Sequence, residues 1–167
     1  VFIGAPEKLM RKLPAELEQK LEEGCRVIIV GYLPMQWENE AALPEEIQPL
    51  YGVVLEDTIR ENTRETLDFF RREGVDVKVI SGDHVKTVSM IAKRAGLHRW
   101  KDAVDLSTLG EDIDYDQICR QYAVFARVTP GQKKELVCAL KRQGHQVAMT
   151  GDGVNDLLAL READCSI

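Results

Sequence analysis

The chain has 167 residues, with 22 Lys and Arg against 28 Asp and Glu, a formal net charge of −6 and 44% apolar residues. That is enough chain for one sizeable core, or for one domain and part of another, and its composition is neither disordered nor fibrous. The acidic balance excludes a broad nucleic-acid or anionic-membrane footprint, which needs clustered Lys and Arg, but leaves room for a nucleotide held by a few placed groups.

No window approaches the roughly 20 consecutive apolar residues of a membrane span, and the first residues lack the build of a signal peptide, so a soluble globular piece is expected. Val1-Phe2-Ile3 opens the chain on apolar residues, and Cys165-Ser166-Ile167 closes it on what reads as the start of a strand. Neither end has the polar character usual at a domain edge, so the chain reads as part of something larger. Cys25, Cys119, Cys138 and Cys165 show no metal-ligand spacing and are expected to be core thiols in a reducing compartment.

In chain order, the first unit reads as strand, helix, strand. Ala15 to Glu23 is a charged helix ended by Gly24, and Arg26 to Val30 is a buried strand. Leu33 to Pro49 holds three prolines and a cluster of Glu and reads as an irregular connection. Tyr51 to Leu55 is a further strand, and a domain boundary falls close to Asp57, dividing the chain into 1–56 and 57–167.

Beyond Asp57 strands and helices alternate. The expected order is helix 61–73, strand 75–80, helix 85–95, strand 123–126, helix 131–143, strand 147–149 and helix 157–163. Such alternation predicts an α/β fold, a parallel sheet with helices on both faces. Two strands end alike: Val77 to Ile80 runs into Ser81-Gly82-Asp83, and Val147 to Met149 into Thr150-Gly151-Asp152. Ligands of open parallel sheets bind at the carboxyl ends of the strands. There the hydroxyls can donate to an anion, the glycines admit backbone N–H groups and helix N-termini favour negative charge, a description that fits phosphate.

The second turn continues through Gly153-Val154-Asn155-Asp156, giving two carboxylates and an amide within five residues, a hard-oxygen set suited to Mg²⁺ with Asp152 as the better ligand. Lys133, early in the helix after Thr129-Pro130, is placed to neutralise a transferring phosphoryl group. Asp112, Asp114 and Asp116 alternate as in a calcium loop, but Gln117 and Ala123 break that pattern, leaving an exposed acidic loop. His84, His98 and His145 share no spacing that suggests chemistry.

These motifs closely resemble those of P-type cation-transporting ATPases, whose phosphorylation domain has a Rossmann-like haloacid-dehalogenase fold. Thr150-Gly151-Asp152-Gly153-Val154-Asn155-Asp156, with Leu160 and Ala163-Asp164 beyond it, is similar to the family's hinge motif almost residue for residue. Asp57-Thr58-Ile59-Arg60 resembles its Asp-Pro-x-Arg segment, Ser81-Gly82-Asp83 its Thr-Gly-Asp loop, and Arg127-Val128-Thr129-Pro130 the approach to its lysine. Gly4-Ala5-Pro6-Glu7 is similar to the end of its Lys-Gly-Ala-Pro-Glu nucleotide motif, with Ile3 in place of the Lys.

The resemblance implies roles residue by residue. Asp152 would bind Mg²⁺, with Asp156 holding it or orienting Lys133. Lys133, Ser81, Gly82 and Asn155 would contact the phosphoryl group. Arg26, Asp57, Arg60 and Asp83 would lie on the ATP side or at the domain hinge, with Thr150 and Gly151 in the phosphate turn. Residues 1–56 would be the end of the nucleotide-binding domain, a small α+β remnant, and 57–167 the phosphorylation domain without its first strand.

No Asp-Lys-Thr-Gly-Thr occurs, so the family's phosphorylated aspartate lies outside the chain. The resemblance therefore implies a fragment of a pump, inactive alone, on the cytoplasmic face of a membrane protein. Its partners would be ATP, the rest of the pump and a cation bound by absent membrane helices, with no nucleic acid. An open sheet edge predicts self-association. The run Leu160 to Ser166 is similar to that of bacterial pumps for which calcium is a plausible cargo.

Two other readings stand beside this one. A stand-alone Mg²⁺-dependent phosphatase of the same superfamily needs an Asp-x-Asp after its first strand, and the only candidate, Asp112-Ile113-Asp114, falls between the second and third motifs. The third reading is a non-catalytic nucleotide- or metal-binding module.

Overall fold

The computed structural model describes residues 1–34, 47–56, 58–110 and 112–167, so Asp57 and most of the connection expected from Leu33 to Pro49 lie outside the described residues. Two compact units form, Val1–Thr58 and Ile59–Ile167.

The first unit contains β1 (Phe2–Gly4), α1 (Pro6–Leu9), α2 (Ala15–Glu22), β2 (Arg26–Tyr32) and β3 (Gln48–Leu55). Its sheet is antiparallel in the order β1-β2-β3. In β2 the alternation is regular: Val27 and Ile29 turn inward onto Leu9, with Leu13, Leu17 and Leu21 packed around them. Gly24, at φ 90, supplies the left-handed residue that ends α2 and lets the chain turn into β2. The strand expected at Tyr51 begins earlier, at Gln48. Pro49 belongs to it, opposite Gly31, where the register slips between Val30 and Gly31; a proline has no N–H for the ladder and is tolerated at such an irregularity on an edge.

The second unit runs α3 (Thr63–Arg72), β4 (Val79–Ile80), α4 (Val85–Ala95), β5 (Ala103–Asp105), α5 (Tyr115–Gln121), β6 (Val124–Ala126), α6 (Pro130–Arg142), β7 (Ala148–Met149), α7 (Leu157–Glu162) and β8 (Cys165–Ser166). Short 3-10 turns occupy Leu106–Thr108 and Val154–Asp156. One parallel sheet has the order β4-β6-β5, and a separate parallel pair joins β7 to β8.

β6 is central, and all three of its residues are buried. Val124 and Ala126 face Val88, Ala92 and Leu97 of α4 and the turn after it. Phe125 faces the opposite way, into Ile118, Cys119, Leu136 and Ala139 of α5 and α6. Helices therefore cover both faces of a parallel α/β sheet, as the alternation predicted. The period-2 reading of one strand and the 3.6-period reading of its neighbours meet in these two clusters.

Three expectations change. The strand expected over 75–80 pairs only at Val79–Ile80, because Val75 and Asp76 lie exposed beyond the edge of the sheet. Asp114 is not simply part of an exposed acidic loop: its carboxylate accepts from Gln117 N at 2.9 Å and caps α5, while Asp116 pairs with Arg142 at 2.7 Å. Of the four cysteines only Cys25 and Cys119 are buried, Cys138 is half-buried and Cys165 is exposed. Burial pushes the Cys119 thiol up to about 11. Among the described residues no helix is long and apolar enough to cross a membrane.

Candidate functional site

The first turn is built largely from itself and from the strand beside it. Ser81 N donates to Phe125 O at 2.9 Å, carrying the ladder one residue past β4, and Ser81 Oγ accepts from Asp83 N at 3.1 Å. Two further bonds fasten the turn to the segment after β6: Val128 N to Ser81 O at 3.0 Å and Arg127 N to Asp83 O at 3.1 Å. Arg127 reaches this geometry at φ 54, a left-handed conformation that non-glycine residues seldom adopt and that tends to mark functional loops. His84 then caps α4, its Nδ1 accepting from Lys86 N at 3.2 Å.

That same segment starts α6. Thr129 Oγ1 accepts from Gln132 N at 3.3 Å while Gln132 Oε1 accepts from Thr129 N at 2.9 Å, a capping box with Pro130 at the first helical position. Lys133 stands in the first turn of the helix so anchored, and its Nζ donates to Asp156 Oδ1 at 2.6 Å. Both side chains are only 12% exposed. A pair this sheltered holds the ammonium in one place, since neither partner can be lost without stranding a charge away from water.

Asp156 is in turn locked into the second turn. Its Oδ2 accepts from Gly153 N at 3.3 Å, and its own N–H donates to Gly153 O at 2.9 Å. The chain passes directly over the carboxylate at Gly151, where a Cβ would lie 2.7 Å from Asp156 Cβ and 2.8 Å from its Oδ2. Only glycine leaves that space. Gly151 N donates to Ile167 O at 3.2 Å, so the residue just past β8 steadies the turn from outside.

At the base of β7, Asp164 accepts from Val147 N at 2.9 Å and from Lys141 Nζ at 2.9 Å. These contacts hold its carboxyl below the ordinary carboxylate range, the backbone N–H contributing most.

The structure thus ties Ser81, Gly82 and Asp83 to the segment that carries Lys133, and ties Lys133 through Asp156 to Gly151 and Gly153. Thr150, Asp152 and Asn155 are exposed on the second turn, and Gly82 is exposed on the first. Arg60 is exposed just ahead of α3. Arg26 lies in the first unit, exposed at the start of β2, and Asp57 lies outside the described residues.

Sequence reasoning missed the Gly153 N–H on Asp156, the strained Arg127 and the capping role of His84. It also missed the Thr129–Gln132 box, whose Thr-x-x-Gln spacing was a visible signal. Among the described residues no group of three or more His, Cys, Asp or Glu is gathered to hold a metal ion unaided. The donor set nonetheless suits Mg²⁺, which takes one or two carboxylates and completes its shell with water and phosphate oxygens. Asp152 is an exposed carboxylate in the same turn, between Gly151 and Gly153, both of which lie against Asp156.

Against known families, residues 2–164 match the family described as "Hydrolase: haloacid dehalogenase-like hydrolase". The chain belongs to the haloacid dehalogenase-like hydrolases. Within this hydrolase family it is 44% identical, over all of its own length and 22% of the relative's, to "Probable cation-transporting ATPase exp7" of Streptococcus pneumoniae. It is 42% identical to "Calcium-transporting ATPase CtpE" of Mycobacterium tuberculosis, over 99% of this chain and 21% of that protein. Over 95% of this chain and 18% of the relative, it is 31% identical to "Magnesium-transporting ATPase, P-type 1" of Escherichia coli K12. The hydrolase chain therefore spans about a fifth of the length of these curated relatives.

Proposed function

We propose that the chain is a catalytic segment of a P-type cation-transporting ATPase. Residues 1–56 would close the nucleotide-binding domain and residues 57–167 would form the phosphorylation domain. The observation that carries this reading is the sheltered Lys133–Asp156 pair, 2.6 Å apart, which ties α6 to the second of two hydroxyl-Gly-Asp turns at the carboxyl ends of parallel strands. The matched relatives named as cation-transporting ATPases support it.

In this reading an aspartate carried by a strand outside the chain takes the terminal phosphoryl group of ATP and later yields it to water. Its strand would lie between β4 and β7 in this reading. These strands carry the two turns, belong to the same unit and, among the described residues, pair only with β6 and with β8 respectively, each in parallel. Lys133, held by Asp156, neutralises charge on the phosphoryl oxygens. Ser81 and Gly82 donate to them from the first turn and Asn155 from the second, while Thr150 and Gly151 shape the phosphate turn. Asp152, aided by Asp156, would hold Mg²⁺, which would supply electrostatic stabilisation of the transferring group. Arg26, Asp57, Arg60 and Asp83 serve ATP binding or the hinge.

The named relatives include a calcium and a magnesium transporter, so the cargo is selected by parts of the protein other than this one.

The phosphatase alternative loses its one candidate pair, since Asp114 caps α5 and neither Asp112 nor Asp114 ends a strand. Incubation with radiolabelled ATP and Mg²⁺ tests the proposal. The 167-residue chain should take up no hydroxylamine-sensitive label, the full-length protein should, and Lys133→Ala in the full-length protein should abolish it. Label on the isolated chain would overturn this reading.

A further inference from the structure

The phosphate chemistry makes no use of a patch of positive charge at the opposite rim of the second unit. α4 runs from the Ser81-Gly82-Asp83 turn back to the amino ends of the strands, where the turn after it leads into β5. From Lys93 to Lys101 the sequence holds five basic residues, Lys93, Arg94, His98, Arg99 and Lys101, and no acid, in a chain of net charge −6. Arg99 is engaged within the fold, its Nε donating to Asp102 at 2.7 Å and its guanidinium to Gln121 O at 2.8 Å. Lys93 and Arg94 stand in the last turn of α4, where cations complement the negative end of the helix. His98 and Lys101 lie beyond the helix and serve neither purpose; both are exposed, as are Lys93 and Arg94. Trp100, half-buried against the cluster of Val88, Ala92 and Leu97, brings the two lysines together. Lys93 Nζ stands 5.0 Å and Lys101 Nζ 5.4 Å from the centre of its ring, and neither enters an ion pair among the described residues. The ring attracts each ammonium but supplies no counter-charge, so two like charges are held near one another awaiting an anion.

We propose that this patch rests on anionic lipid headgroups, with Trp100 holding Lys93 and Lys101 against them and Arg94 and His98 adding to the field. The proposal rests on the pump reading in that it places the chain beside a bilayer. It is one compact contact on an acidic chain, not a broad footprint.

The lysines and the tryptophan favour a lipid surface over an acidic protein segment. Lysine is depleted from protein–protein interfaces, because its ammonium is strongly hydrated and its stem is flexible. At a headgroup surface the same ammonium keeps its water and still feels the negative potential of the lipid. Tryptophan is enriched at that level, its apolar ring and single N–H suiting a boundary that is greasy on one side and wet on the other. Two lysines give weak attraction by themselves. In the pump reading the rest of the polypeptide already tethers the segment to the membrane, and a tether turns weak attraction into stable contact by raising the effective concentration.

Acetylation of the full-length protein in lipid nanodiscs, with the rate at each lysine read by mass spectrometry, tests this. Discs of phosphatidylcholine alone are compared with discs that also contain phosphatidylglycerol. At low salt Lys93 and Lys101 should react about fivefold more slowly in the anionic discs. Salt at about 1 M, where the screening length falls to about 3 Å, should restore the rate. Lys86, exposed at the other end of α4, should react alike in both lipids. In Lys101→Gln the slowing at Lys93 should shrink, since the two share one surface. Equal rates at Lys93 and Lys101 in the two lipids would overturn the proposal. Slow reaction in both lipids and in detergent would overturn it as well, in favour of a protein segment covering Trp100. Acetylation needs no turnover, so a protein that forms no phosphoenzyme yet shows the lipid dependence would sink the catalytic reading and leave this one standing. A protein that forms the phosphoenzyme and shows no lipid dependence would do the reverse.

Discussion

The two hydroxyl-Gly-Asp turns are nearly the same in sequence and differ in what holds them. Ser81-Gly82-Asp83 closes on itself through Ser81 Oγ and leans on backbone from Arg127 and Val128. At Gly82 an added Cβ would meet nothing nearer than Val128 O at 3.9 Å. Thr150-Gly151-Asp152 is wrapped around the Asp156 carboxylate, tied to Lys133 of α6 and steadied by the residue just past β8. A repeated tripeptide thus marks a shared position, the carboxyl end of a parallel strand. The residues beyond it decide whether the turn closes mainly on itself or is built around the Lys133–Asp156 pair.

The largest expected effect lies in that network. Asp156→Ala strands a Lys133 ammonium that is 12% exposed, and the loss of stability should be about 3 kcal/mol or more in urea unfolding. The double variant Lys133→Met/Asp156→Leu should recover most of it, since two apolar groups leave no charge behind. Equal losses in the single and double variants would show that packing, and not the charge pair, fixes the second turn.

Gly151→Ala against Gly82→Ala sharpens the comparison directly. The first must displace Asp156 and should cost about 1–3 kcal/mol. The second, at an exposed glycine with open space around it, should fall within about 0.5 kcal/mol of the parent. Similar costs at both sites would erase the distinction. Next in size is Thr129→Ala, which removes the cap of the helix linking the two turns and should cost about 1 kcal/mol.

Much of this was legible in the residues. The alternation of elements disclosed a parallel α/β sheet, because β6 and its flanking helices are long-range consequences of short-range periodicity. The two turns and Lys133 stood out by type and spacing. Hidden were contacts that depend on three-dimensional closure: nothing in the sequence pairs Lys133 with Asp156, 23 positions further on, and Gly151 looks like any turn glycine until Asp156 folds beneath it. Ala103 to Asp105 was too short to read as a strand, and Asp114 resembled a loop acid because a cap is defined by the helix that follows it.

The smallest effect concerns the base of the second turn. Asp164 titrates below its ordinary value because Val147 N–H and Lys141 favour its charged form. As pH falls through the ordinary carboxylate range the unfolded chain takes up this proton first, so the folded state loses the contribution progressively until the lower, folded value is passed. Asp164→Asn keeps an oxygen for Val147 N–H and removes the charge. Its urea midpoint should therefore match the parent closely at acid pH and fall behind it toward neutrality, where the parent alone gains from the Lys141 pair. High salt should shrink that gap, because both side chains are about two-fifths exposed and their attraction is screened. Parallel pH profiles would mean that β8 and the Ile167 carbonyl, rather than Asp164, set the foot of the turn.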